Sequence, residues 1–181
     1  MKTRWVLLLS VVFGLLLWSI PSVLSWLDAR SKQRLLESCY QRFASDSSDT
    51  LYVMGETPLI KKIGANRELA DRVREVVFTE TDFSMLDISE LAQLPNLDQV
   101  VIYSSKNCDA AIKSINRLKR LGTLTFADCG LTDAGFDELN NSTLASFGMS
   151  AFGQSWTEES IGRLKNRMPE CKFEISVQEY Q

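Results

Sequence analysis

The sequence predicts an α/β solenoid preceded by an N-terminal transmembrane segment. Three observations lead there. Branched or aromatic residues recur as pairs one position apart: Val76/Phe78, Val100/Ile102, Leu124/Phe126, Phe147/Met149 and Cys171/Phe173. Successive pairs lie 24, 24, 23 and 24 residues apart, and a fixed period in this range marks stacked repeat units. Between the pairs, apolar residues three apart supply one face of a helical turn. Near the amino terminus, an uncharged stretch runs from Trp5 to Leu27.

The length of 181 residues suits one domain plus an appendage. Residues 1–45 hold six Lys/Arg against two Asp/Glu, a net of +4; residues 46–181 hold fourteen against twenty-one, a net of −7. The repeat region is therefore mildly acidic, which argues against a surface for nucleic-acid phosphates. The chain has no histidine, which removes His-based triads, Cys–His pairs and the commonest metal ligand. Its four cysteines, Cys39, Cys108, Cys129 and Cys171, form no C-x-x-C pair and read as structural thiols rather than a zinc or redox site.

Lys2 and Arg4 precede the apolar stretch 5–27. Its length in helical form spans a hydrocarbon core of roughly 30 Å, and Trp5 and Trp26 suit the two interfaces. The preferred reading is an uncleaved single-pass anchor. A cleaved signal peptide competes, with residues 5–20 as its apolar region, Pro21 as its break and Val23-Leu24-Ser25 as its cleavage site. Basic residues flank both ends, so the charge pattern leaves the orientation of the anchor open.

Residues 28–44 read as a helix, because Leu35, Leu36, Cys39, Tyr40 and Phe43 fall at helical spacing. The polar tract from Ser45 to Thr50 ends it. Leu51-Tyr52-Val53-Met54 falls one period before Val76 and reads as an extra strand covering the first repeat. Pro58 to Gly64 reads as a short helix. The divisions expected are a membrane segment (1–27), a juxtamembrane helix and linker (28–50), a capping unit (51–68) and the repeats (69–181).

The third repeat is the clearest. Leu121-x-x-Leu124-x-Phe126-x-x-Cys129-x-Leu131 alternates like a short strand and then turns. Thr132-Asp133 suit a helix start, with Phe136 and Leu139 as its buried face. Asp109, Ile112 and Ile115 lie 24 residues before Asp133, Phe136 and Leu139; Ile88 and Leu91 lie a further 24 back. Thr157, Glu158, Ile161 and Leu164 follow 25 residues after Thr132, Asp133, Phe136 and Leu139. At the far end, Cys171 to Ile175 alternates like a strand with charges on its open face, a pattern that blunts a sheet edge.

On these residues, 69–175 resemble a leucine-rich-repeat domain of the cysteine-containing, ribonuclease-inhibitor-like kind. Leu131-Thr132-Asp133-Ala134-Gly135-Phe136 resembles that group's L-T-D-x-G-L, with Phe in the last place. The layout is similar to that of small membrane-anchored repeat proteins of some bacteria. The resemblance implies a parallel sheet on the concave face and short helices outside. The turn position departs from the pattern in the second repeat, which has Ser105, and in the fourth, which has Phe152.

In such strands the paired apolar residues point inward and their alternating neighbours face the open side. Those neighbours are Glu75, Val77, Thr79; Gln99, Val101, Tyr103; Thr123, Thr125, Ala127; Ser146, Gly148, Ser150; and Glu170, Lys172, Glu174. Val77, Gln99, Val101, Tyr103, Thr123 and Thr125 are the expected binding residues, with Tyr103, Val101 and Val77 as the adhesive patch. The bland alternative is a merely solvated face, or one covered by the 28–44 helix. No catalytic residue, metal ligand or cofactor is expected. The run Gly148 to Gly153 misses the G-x-S-x-G spacing by one residue, and no Walker A or G-x-G-x-x-G sequence occurs. The expected function is a membrane-anchored interaction module for a protein or peptide partner. The alternative is a structural or accessory membrane subunit with the repeats as a spacer.

Overall fold

The structure is a computed structural model that describes Ser25 and residues 28–54, 59–86, 88–152 and 156–178. The anchor expected over residues 5–27 lies outside the described residues except for Ser25. No helix among the described residues is long and apolar enough to cross a membrane. The chain divides into two compact units, Met1–Gln41 and Arg42–Gln181.

Residues 28–45 are helical (α1). In the first unit the helix is mostly exposed and is held by local pairs, Lys32 with Asp28 at 3.2 Å and Gln41 with Glu37 at 2.8 Å. Its last residues, 42–45, belong to the second unit. There Phe43 is buried, its ring lies 4.4 Å under the Arg72 guanidinium, and its carbonyl accepts from Arg72 Nη2.

The second unit is α/β, with several helices and a six-stranded parallel sheet in sequence order. The strands are β1 (Thr50–Met54), β2 (Glu75–Thr79), β3 (Gln99–Tyr103), β4 (Thr123–Ala127), β5 (Ser146–Phe152) and β6 (Lys172–Gln178). Between them come α2 (Leu59–Gly64), α3 (Arg67–Arg72), a 3-10 turn (Ser89–Gln93), α4 (Asp109–Ile115), α5 (Asp133–Glu138) and α6 (Glu158–Arg167). Cα partners in adjacent strands lie 25, 24, 24, 23 and 26 residues apart. The extra first strand and the short helix ending at Gly64 are both present, as the sequence predicts.

The core lies on one side of the sheet. Leu51, Val53, Val76, Phe78, Val100, Ile102, Leu124, Phe126, Phe147 and Met149 are buried from the strands, facing Ile63, Leu91, Ile112, Ile115, Phe136 and Leu164 from the helices. Phe147 is a hub, with ring centroids 6.0 Å from Phe126, 6.1 Å from Phe136 and 5.9 Å from Phe173. Such edge-on and tilted pairs add to the stabilisation from burial alone.

The joints between successive units repeat chemically. A carbonyl just before each of β1 to β4 accepts two amides from the next unit: Asp49 O from Arg74 and Glu75, Arg74 O from Asp98 and Gln99, Asp98 O from Gly122 and Thr123, Gly122 O from Ala145 and Ser146; before β5, Ala145 O accepts from Lys172. The residue after β2, β3 and β4 is left-handed: Glu80 (φ 51°), Ser104 (φ 46°) and Asp128 (φ 52°), each 24 apart. This reversal turns the chain under the sheet. At the next residue, the side chain meets backbone. Thr81 Oγ1 donates to Thr79 O, Ser105 Oγ to Tyr103 O, and Cys129 Sγ to Ile102 O at 3.3 Å. Ser105 and Cys129 thus fill one position with one task, a small donor in a buried turn.

On the helical side, the Asp109 carboxylate accepts from Thr132 N (3.0 Å) and Asp133 accepts from Thr157 N (2.6 Å) and Ser160 Oγ (2.6 Å). Gly135 follows from this ladder, since a Cβ there would sit 2.8 Å from the Asp109 carboxyl carbon. Thr132 occupies the N-cap of α5 without a side-chain cap bond, because its hydroxyl is turned to Asp109. The exposed carbonyls at the end of α5 are covered by neighbours. Arg167 donates to Phe136 O and Leu139 O, where a cation also suits the helix dipole.

These carboxylates give an acid limb to stability. Asp82 is held below its ordinary 3.8 by Asn107 and Ser84, Asp133 by Ser160 and the Thr157 amide, and Asp137 by Arg163, whose guanidinium lies 2.9 Å away. A native value below the unfolded one gives stabilisation that is complete above the unfolded value and lost as pH falls through the native one. The melting temperature is therefore expected to fall as pH drops from about 4, and Asp133→Asn to flatten that slope. An identical slope in the variant would show that this carboxylate carries no linkage.

One expectation is corrected. The last inward pair is Phe173/Ile175, not Cys171/Phe173, because Phe147 pairs with Phe173 and Met149 with Ile175. From the start of β5 to the start of α6 there are two residues more than from β4 to α5, and α6 is four residues longer but has a shorter exit, so the next strand pairs 26 residues on. Around Ile88 and Leu91 the expected helical turn is a 3-10 turn. It stops at Leu94, extended at ψ 95°, as the residue before a proline prefers.

Candidate functional site

The face opposite the core is built by the alternation of each strand. The register sets its residues in rows. One row runs Tyr52, Val77, Val101, Thr125, Gly148, Glu174; a flanking row runs Thr50, Glu75, Gln99, Thr123, Ser146, Lys172; the other contains Thr79, Tyr103, Ala127, Ser150 and Ser176. Strands lie about 4.8 Å apart, so Tyr52, Val77 and Val101 form a continuous apolar strip roughly 10 Å across. Tyr103 stands two residues beyond Val101 on the same strand and the same side.

All six sequence-predicted binding residues lie on this face. Val77, Gln99, Val101, Thr123 and Thr125 are half-buried between neighbouring strands, and Tyr103 is 43% exposed. Glu170 does not join them. It sits in the turn before β6, and the two-residue shift puts Lys172 in the row where it was expected. Tyr52, 64% exposed, is the residue sequence reasoning missed. The alternation Leu51-Tyr52-Val53 is the signal that puts it outward.

The face changes character across the sheet. Tyr52, Val77, Val101 and Tyr103 offer apolar and aromatic surface at one end. The middle is small and hydroxylic, with Thr123, Thr125, Ser146 and Gly148; Gly148 leaves the Thr125 side chain open from that side. At the far end Lys172 and Glu174 pair at 2.7 Å, which raises the lysine and lowers the glutamic acid from their ordinary values. Both are well exposed, so solvent screens the pair strongly. The surface is thus graded along the sheet and only partly apolar.

The remaining titratable groups are accounted for by structure. The four cysteines are free. Cys108 is hydrogen-bonded to Cys129 and buried, and both effects hold its thiol above the ordinary range, while the same hydrogen bond lowers that of Cys129. Burial likewise pushes Cys171 up. The acidic residues Asp133 and Asp137 are taken by Thr157, Ser160 and Arg163. Among the described residues no group of three His, Cys, Asp or Glu could hold a metal ion. Of the two N-x-S/T asparagines, Asn141 is 2% exposed and donates to Ile115 O and Leu118 O, so it is part of the fold and closed to modification.

No protein-family model matches this chain, and no curated protein matches its sequence.

Proposed function

We propose that this chain is a membrane-anchored leucine-rich-repeat protein that captures a protein or peptide partner on the open, concave face of its sheet, through binding and not catalysis. The six parallel strands in sequence order, the offsets near 24 residues and the repeated joints support the solenoid. The anchor rests on the apolar sequence 5–27. The single observation that carries the binding reading is the strip Tyr52–Val77–Val101 with Tyr103 beside it. It places two exposed tyrosines and two valines on one face, and rigid aromatics of this kind dominate interface energetics.

The test compares the full chain with Val101→Glu and Tyr103→Glu as bait for membrane and soluble proteins of its own cells. Each substitution puts a charge in the strip without touching the core. The variants are expected to melt like the parent and to retain its specific partners at least about tenfold less well. Undiminished capture by both variants would remove the face as the binding site.

A further inference from the structure

The two ends of the sheet are finished differently. At the β1 end, Leu51 and Val53 are at most 1% exposed, covered beneath by Leu59, Ile60 and Ile63 of α2. At the β6 end, the inward row Phe173, Ile175, Val177 is progressively less covered, and Val177 is 45% exposed. Beneath it, Trp156 and Ile161, with Glu158 and Lys165, line the other side of a groove of about 210 Å³. Strand β6 pairs only with β5 among the described strands, so its second edge carries unmatched backbone groups.

We infer that β6 is a self-association edge, joining antiparallel to the β6 of a second copy about a two-fold axis at Ile175. The backbone parity permits it. The Lys172 amide points to β5, donating to Ala145 O, so by alternation the amides and carbonyls of Phe173, Ile175 and Val177 point to the free edge. With the axis at Ile175, these three form the hydrogen-bonded pairs: Ile175 with itself, Phe173 with Val177 of the other copy, and the converse.

The side chains are self-complementary in that register. On the core side every pair is apolar, and the exposed Val177 comes to lie against Phe173. On the open side Glu174 meets Ser176 and Lys172 meets Gln178, so no like charges oppose. The charges that usually guard a sheet edge are here matched within one chain, Lys172 to Glu174 at 2.7 Å. A head-to-tail stack has no such complement, because the β1 end presents no uncovered core row. Two sheets would join into one continuous sheet, with both grooves closed at the seam.

The experiment is sedimentation velocity of the full chain in detergent micelles across a wide range of concentration. The parent is expected to run as two chains per particle. Val177→Lys, which places an ammonium against Phe173 of the other copy, should run as one chain, its self-association weakened by more than about tenfold. Because Val177 is already 45% exposed, the fold should survive, which an unchanged melting temperature at low concentration verifies. Glu174→Gln, facing a serine, should leave two chains per particle. A parent that stays single throughout, or a Val177→Lys variant that stays paired, overturns the inference.

Discussion

Phe147→Ala is expected to destabilise the second unit by about 3–5 kcal/mol, the range for truncating a fully buried aromatic. Phe147 has no exposed surface, and its ring touches Phe126 from the preceding strand, Phe136 from the preceding helix and Phe173 from the following strand. Its loss therefore opens three contacts between consecutive units at once, and the rigid rings around it cannot collapse into the space. The adjacent Gly148 supplies the control. A methyl there would lie 3.5 Å from Thr125 on the open face, an ordinary contact, so Gly148→Ala should change stability by less than about 1 kcal/mol. Urea unfolding of the two variants measures both. Comparable losses would contradict the assignment of the two faces.

Asn141→Ala is the second large effect, at about 1–3 kcal/mol. The Asn141 amide donates to Ile115 O and Leu118 O, and its oxygen accepts from Thr143 N and Oγ1. The two carbonyls belong to the end of α4 and the turn that follows it, with Ile115 fully buried, and no water replaces the amide in a site 2% exposed. Ile115 O keeps the Leu118 amide, but Leu118 O is left without the Asn141 donor, and a buried acceptor left unpaired costs more than removing both partners together. Asn140, exposed and linked by its backbone to Asn116, should tolerate alanine with little loss. Similar melting temperatures for the two variants would sink this account.

These variants also show which parts of the molecule were readable in the sequence. The strand order, the inward pairs through Met149 and the open face were legible because a buried strand residue must be apolar and its neighbour need not be, and the alternation repeats every two dozen residues. The last strand was misplaced because periodicity assumes equal repeats, and the longer lead-in to α6, the longer α6 itself and its shorter exit break that equality. Asn141 was invisible as a structural residue, since its motif reads as a modification site and its true partners lie 23 and 26 residues away. The left-handed positions Glu80, Ser104 and Asp128 gave no signal either, because glycine or asparagine normally announces that geometry and none stands there. The binding face was legible only as exposure. Which of its residues meet a partner is a matter of chemistry outside this chain.

The shared carbonyls of Asp49, Arg74, Asp98 and Gly122 have an evolutionary corollary. Each joint offers the same socket and receives the same two amides, so a duplicated segment of two dozen residues arrives with compatible fittings at both of its margins. Gene-level slippage by one whole segment would lengthen the platform without redesigning any seam, whereas slippage by half a segment would leave a socket facing the wrong plug. Size, in a molecule built this way, is a property selection can adjust in discrete steps.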